Sequence, residues 1–273
     1  MIKLFASDLD GTLLNAHHQF DERIVQGIRD LLDQGAEFSI ATGRGPKQCT
    51  IPEIERDVYK ICMNGALILD KENAILHMEL FPKDILSLLI DEFYDLPFDF
   101  VTPEKTYTMH SQEAYVRKKV DINDDDAWKE RFMRDFLPRM KFNASKEEIL
   151  HADVCKVNMR TDQHKSYVRL TEFLDVHQDQ ILNAPSSEDL IELTAVNSQK
   201  GNAVAILAKY LGLKDDEVAV YGDGGNDLSM LSRFSHSYAP ENACLAAKEK
   251  ARSVIGPAFE YSVIKHMEEI SKS

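Results

Sequence analysis

Short apolar runs alternate with helix-spaced apolar positions through the first eighty residues. Residues 2–6 form a compact apolar run of the kind a buried strand needs. Ile24, Ile28, Leu31 and Leu32 then recur at helical spacing, and Gly35 follows as a stop signal. Residues 38–41 and 59–63 are further short apolar runs. Residues 66–69 and 74–78, joined by Asp70-Lys71-Glu72-Asn73, predict a hairpin. Strand, helix, strand in close succession is the βαβ signature of a parallel sheet covered by helices.

The pattern breaks at Phe81-Pro82-Lys83-Asp84. Beyond it Ile85, Leu88, Leu89 and Phe93 predict one helical face. Residues 97–150 are richer in charge and aromatics, with an amphipathic segment carrying Trp128, Phe132 and Phe136. Residues 154–159 predict a strand, and Val168, Leu170, Phe173 and Leu174 a helix. Two short strands follow, 181–184 and 190–193. Near Lys200 the parallel-sheet rhythm returns. Val204, Leu207, Ala208 and Leu211 make a helix face ended by Gly212. Residues 218–221 make a strand with an abrupt Gly-Asp-Gly-Gly exit, and the tail, 243–270, is mostly helical with a strand-like 253–255. The expectation is an α/β core built from residues 1–82 and 186–273, interrupted by an α+β domain at 83–185.

Composition narrows the function. Apolar residues make up 44% of 273, enough for a core. The net charge of −14 opposes nucleic acid and anionic lipid as partners, and suits a protein that holds a divalent cation. No apolar run approaches the roughly 18 residues that span a bilayer. The N-terminus meets two acids by Asp10, which makes a poor signal peptide. Cys49, Cys62, Cys155 and Cys244 are scattered without zinc or disulfide spacing. A reduced, cytoplasmic protein is the expectation.

The chemistry gathers where strands end. Asp8-Leu9-Asp10-Gly11-Thr12-Leu13-Leu14 leaves the first strand, and two carboxylates two apart in extended chain point to one side, where like charges repel. A polar turn is one reading. The other is a divalent-metal site in which one carboxylate is also a nucleophile. Ala41-Thr42-Gly43-Arg44 leaves the second strand and offers a hydroxyl and backbone N–H groups, either an anion cradle or an ordinary helix cap. Lys200-Gly201 opens a later helix, where a lone lysine is most simply a surface charge. Gly222-Asp223-Gly224-Gly225-Asn226-Asp227 leaves another strand, as a glycine turn or as two more ligands. In a parallel sheet all these exits share one edge. Hard oxygen ligands suit magnesium. With a hydroxyl, a lysine and glycine amides beside them, they add up to phosphoryl transfer.

DLDGTLL, ATGR, a Lys-Gly before a helix and GDGGND, in that order, resemble the four motifs of the haloacid dehalogenase superfamily. The long insertion between the second and third resembles the type IIB cap of the Cof-like sugar-phosphate phosphatases. The Asn64-Gly65-Ala66 step and the hairpin after it resemble the same subfamily. The resemblance implies a Rossmann-like core with an inserted cap, and it implies roles. Asp8 is the nucleophile. Asp10 is the general acid/base, with its pKa above that of Asp8, and its backbone carbonyl also binds magnesium. Thr42 and Gly43 hold the phosphoryl group, Lys200 neutralises it and restrains Asp8, and Asn226 reaches the phosphate. Asp8, Asp10, Asp223 and Asp227 form the metal set, with Asp227 either supporting the ion or orienting Lys200. Departures occur at Gln199, where the family usually has Ser, at residues 239–243, and at residues 256–263. They touch the rim of the site and leave the catalytic groups in place.

Arg44 is expected at the rim or in a structural role, and His17 and His18 in solvent. Asp124-Asp125-Asp126 is expected to be a solvated helix start, and Trp128, Phe132 and Phe136 the core of the cap. The combined expectation is a magnesium-dependent phosphatase acting on a small phosphorylated metabolite, a sugar phosphate or a cofactor-related phosphate. The cap would roof the crevice and exclude bulk water. A phosphotransferase or mutase, a receiver-like switch and a silent ligand sensor are the alternatives.

Overall fold

Two short strands with little exposed surface fix the first half of the core: β1 (Leu4–Ser7), fully buried, and β2 (Glu37–Ala41). Between them runs the helix Glu22–Asp33. Asp21 caps it by accepting the backbone N–H of Ile24 at 3.1 Å. Its buried face is Ile24, Val25, Ile28 and Leu31, and Gly35 (φ 83°) ends it. β3 (Tyr59–Cys62), β4 (Leu67–Leu69) and β5 (Ile75–Met78) follow, the last two as the expected antiparallel hairpin. The computed structural model describes residues 1–51, 53–119, 129–130, 132–160, 164–186 and 190–272.

The chain forms two compact units. One is Met1–Glu79, Ala184–Ser187 and Asn197–Ser273, and the other is Leu80–Asn183 and Glu188–Val196. The second holds β6 (Asp99–Val101), β7 (Thr106–Tyr107), β8 (Met140–Lys141), β9 (Lys156–Arg160), β10 (Ile181–Asn183) and β11 (Leu190–Ala195). They order as β10-β11-β9-β6-β7-β8. All of these pairs are antiparallel except β7 with β8. A core of Phe81, Ile85, Leu89, Phe98, Phe100, Val157, Leu170, Phe173 and Leu193 lies within this unit. β11 pairs with β9 and β10 here, so residues 190–195 lie in the second unit, beyond the expected boundary at 185/186.

Three apolar positions expected in this core lie outside it. Leu88 (41% exposed), Phe136 (42%) and Val168 (48%) face solvent. In the helix Lys83–Glu92 the buried stripe is Ile85, Leu86, Leu89 and Ile90, so Leu88 falls on the far side. Phe132 is buried, as expected. Trp128 and residues 124–126 lie outside the described residues.

The first unit resumes with the helix Lys200–Tyr210, β12 (Val218–Tyr221), β13 (His236–Pro240) and β14 (Ser253–Ile255). Its sheet runs β14-β13-β12-β1-β2-β3-β4-β5. Every pair from β14 to β3 is parallel. Val204 and Leu207 of the helix pack with Leu4, Ile61 and Val220 on one face of this sheet. β13 escapes hydrophobic patterning because its sequence, His-Ser-Tyr-Ala-Pro, is largely polar. It is nevertheless almost wholly buried, because β12 and β14 flank it. The α/β parallel sheet flanked by helices, with an inserted α+β unit, is the expected fold class.

Candidate active site

β1 and β12 are neighbours, and both run toward the same edge. Ser7 lies opposite Tyr221, and the N–H of Asp8 donates to the carbonyl of Tyr221 at 2.9 Å. Asp8 and Gly222 therefore leave the sheet side by side. Gly222 has no room for a side chain: a Cβ there would come within 2.5 Å of Asp227. The loop instead folds over Asp227, whose Oδ2 accepts the N–H groups of Asp223 and Gly224, each at 2.9 Å.

Lys200, at the start of its helix, is completely buried. Its ammonium donates to Asp8 Oδ1 and to Asp227 Oδ1, each at 2.6 Å. One carboxylate oxygen from each of Asp8, Asp223 and Asp227 lies within 4.8 Å of the other two. Thr12 completes the arrangement by donating its hydroxyl to Asp223 Oδ1 at 2.7 Å. Gly11, left-handed at φ 78°, approaches so closely that a Cβ would lie 2.4 Å from Asp223 Oδ2.

Three carboxylates thus face one lysine. Burial pushes Asp8 well above the usual carboxylate range, and Asp227 and Asp223 add to this against the pull of Lys200. Burial and the charge of Asp227 likewise push Asp223 up to about 6, opposed by the Thr12 hydrogen bond. Burial works against the charge on Lys200, but Asp227 and Asp8 together outweigh it and raise the ammonium above its ordinary value. The cluster holds more negative charge than its one cation balances, and every donor is a hard oxygen. A divalent ion of the magnesium type fits it.

That fit has a pH signature. Without an ion, Asp223 contributes stability that is fully present below its ordinary pKa and is lost as pH rises through about 6. An ion must displace the Asp223 proton at low pH and replaces a missing counter-charge at high pH. The rise in melting temperature on adding magnesium should therefore be larger at about pH 7.5 than at about pH 5. Equal shifts at both values would remove Asp223 from the ligand set.

The metal role expected of Asp10 rests on its backbone carbonyl, and its side chain has other partners. Its side chain is absent from the cluster and is gripped by Arg44, with Nε on Oδ2 at 2.7 Å and Nη2 on Oδ1 at 2.5 Å. His18 Nδ1 adds a contact to Oδ1 at 3.2 Å. Asp8 and Asp10 do not continue one extended strand, because the chain already turns over Leu9–Leu13, where Leu14 N–H closes on the Leu9 carbonyl at 2.9 Å. Arg44 and His18, read as rim and solvent residues, are the partners of Asp10.

Thr42 follows β2, with its N–H on the Ile61 carbonyl at 2.8 Å and its hydroxyl oxygen accepting the Arg44 N–H at 3.2 Å. Asn226 is buried and donates to Asn64 Oδ1 at 3.0 Å. Asn64, at φ 58°, donates in turn toward the Ala184 carbonyl at 3.4 Å. Residue-by-residue reading gave no role to Thr12, Asn64 or Asn242. Asn242 donates to the Gly11 carbonyl at 2.7 Å and accepts the Ala258 N–H at 2.8 Å, holding the turn after Asp10. Thr12 lies within the DLDGTLL motif and Asn64 in the Asn-Gly-Ala step, but neither pattern specifies these partners.

A buried carboxylate bonded to a lysine, with more acids beside it at the carboxyl edge of a parallel sheet, is the equipment of a phosphoryl-transfer enzyme. The sequence profile of the haloacid dehalogenase-like hydrolases matches residues 5–267. The chain belongs to that family of hydrolases and is an enzyme. The resemblance carried by the four ordered motifs is thereby borne out. YxeH of Bacillus subtilis (strain 168) is 28% identical over 92% of each chain. The 5-amino-6-(5-phospho-D-ribitylamino)uracil phosphatase YwtE of the same organism is 25% identical over 93% of this chain and 92% of its own. A solved haloacid dehalogenase-like hydrolase from B. subtilis superposes with a TM-score of 0.83 at 27% identity, over 98% of this chain and all of its own. No helix among the described residues is long and apolar enough to cross a membrane.

Proposed function

We propose that this chain is a magnesium-dependent phosphatase that hydrolyses the phosphate monoester of a small metabolite, a sugar phosphate or a cofactor-related phosphate, through a phospho-Asp8 intermediate. The observation that carries this reading is the Lys200 bridge. Its ammonium takes Oδ1 of Asp8 and leaves Oδ2 as the attacking oxygen. It also fixes the rotamer of that carboxylate, so little orientation has to be found when substrate arrives.

In the first step Asp8 Oδ2 forms a bond to phosphorus, the bond to the ester oxygen breaks, and that oxygen takes a proton from Asp10. In the second, water attacks phosphorus and gives a proton back to Asp10, and the acyl-phosphate bond breaks to release phosphate. Thr42, the Gly43 amide and Asn226 would hold the non-bridging oxygens, with Lys200 offsetting their charge. Magnesium held by Asp8, Asp223 and Asp227 would supply the remaining neutralisation of two anions brought together. The relative named for a phosphoribityl substrate supports a small phosphorylated metabolite as the substrate class. Residues outside the four motifs select within that class.

Purified protein with magnesium and an aryl phosphate should release inorganic phosphate without an added acceptor. No release, or release only when an acceptor alcohol is added, would exclude hydrolysis. A panel of phosphorylated metabolites then ranks the substrates by kcat/KM.

Asp10 can shuttle protons only from a defined position, and Arg44 supplies that position through two hydrogen bonds. Arg44→Met should lower kcat by about tenfold to a hundredfold with a much smaller change in KM, and Arg44→Lys should recover part of the loss. A change confined to KM would make Arg44 a substrate contact instead.

A further inference from the structure

Cys49 and Cys62 are both buried, and their sulfur atoms lie 3.5 Å apart. Neither has a part in the chemistry above. Cys62 ends β3 and pairs with Leu67 of β4, so its backbone is fixed by the sheet. Cys49 follows the short turn Pro46–Gln48, and its thiol lies 3.3 Å from the Pro46 carbonyl and 3.6 Å from that of Gly45. The turn also presents the Gln48 carbonyl, which accepts a hydrogen bond from Arg44 Nη1 at 3.2 Å. Arg44 in turn holds Asp10. Packed contacts therefore run without a break from the thiol pair to a carboxylate of the active site.

We infer that Cys49 and Cys62 are an oxidation site, at which a peroxide or a small-molecule disulfide generates an intramolecular disulfide that displaces the Gly45–Cys49 turn supporting Arg44. With hydrogen peroxide the Cys49 sulfur attacks one peroxide oxygen and releases water, giving a sulfenic acid. The Cys62 sulfur then displaces the second oxygen as water. Two thiols lose two protons and two electrons, and one peroxide takes them up to become two waters. A bonded pair sits at about 2.05 Å, so the sulfurs close by roughly 1.5 Å. The movement falls on Cys49, because Cys62 belongs to the sheet. The reaction also removes the thiol hydrogen directed at Pro46 and Gly45, and the turn loses that hold. The hydrogen bond between the two thiols holds the Cys49 thiol below its ordinary range against burial, with Lys60 adding to the effect, and Cys49, on the turn and outside the sheet, is the sulfur free to move toward an oxidant. The spacing of the four cysteines gives no hint of this, because the two meet only when the loop after β2 folds back on β3.

The experiment uses a Cys155→Ser/Cys244→Ser background, which leaves only this pair. Treatment with hydrogen peroxide or oxidised glutathione should lower the intact mass by about 2 Da and link the peptides holding residues 49 and 62. Phosphate release should fall by about tenfold or more and return with dithiothreitol. Adding Cys62→Ser should abolish both effects. Two free thiols after treatment, or stepwise oxygen adducts without a link, would overturn the site. A disulfide that leaves turnover unchanged would overturn its hold on Arg44. The activity arm rests on the proposed phosphatase reading. If the reduced protein shows no turnover, that reading falls, while the mass still decides the oxidation site.

Discussion

Asp8→Asn should abolish phosphatase turnover and raise the melting temperature of the ion-free protein. The first effect follows from chemistry: a neutral amide is a very poor nucleophile toward phosphorus, and the loss should be roughly 10⁴-fold or more. The second follows from the field around residue 8. Burial pushes the Asp8 carboxyl well above its ordinary range, with Asp227 and Asp223 adding to it, so at neutral pH its charged form works against the fold. A group raised in this way contributes stability at low pH and loses it as pH rises, and a neutral isostere escapes that loss. The gain should be visible by thermal melting in chelator and should shrink when magnesium is added. Residual turnover close to wild type would mean that another oxygen attacks phosphorus. Unchanged melting would mean that Lys200 already compensates the charge.

Lys200→Met should have the opposite effect on stability and the same effect on turnover. The lysine is completely buried and bonded to two carboxylates at 2.6 Å each. Removing one partner of a buried ionic group strands the others, typically at about 3–5 kcal/mol. Here two carboxylates lose the one cation bonded to them among the described residues, with a third beside them. The variant should melt well below wild type in chelator and regain part of the difference with magnesium, since the ion takes over some of the missing charge. Phosphate release should fall by about a hundredfold or more, because Asp8 loses its fixed rotamer and the phosphoryl group its counter-charge. A variant that is as stable as wild type without metal would show that the three acids do not share one field.

Much of this could be read along the chain, for definite reasons. β1, β2 and β12 are short, largely apolar and followed by Asp, Thr or Gly, so both their burial and their exits are written locally. Parallel pairing then brings Asp8, Asp223 and Asp227 to one edge without further tertiary information. What could not be read depends on contacts across long separations or on local bends. The grip of Arg44 on Asp10 spans 34 positions, and the Asn226–Asn64 bond spans 162. The turn over Leu9–Leu13, with Gly11 left-handed, breaks the extended spacing on which the Asp8/Asp10 alternation depends. β13 is polar in sequence and buried by its neighbours, so no periodicity marks it. In the second unit Leu88 and Val168 fit a helical stripe as well as the residues that are buried, and only the packing partner chooses between them.

The bond from Thr12 to Asp223 joins residues 211 positions apart, and this bears on how the molecule is made. While the polypeptide is being synthesised, β1 can pair with β2 long before β12 exists. Its other side, destined for residues 218–221, presents unpaired amide and carbonyl groups to any passing strand. Until the last quarter of the chain emerges, Asp8 ends an open edge and Lys200 has no pair of acids to join. Arrested or truncated translation products of this protein are therefore the species most prone to wrong pairing and aggregation.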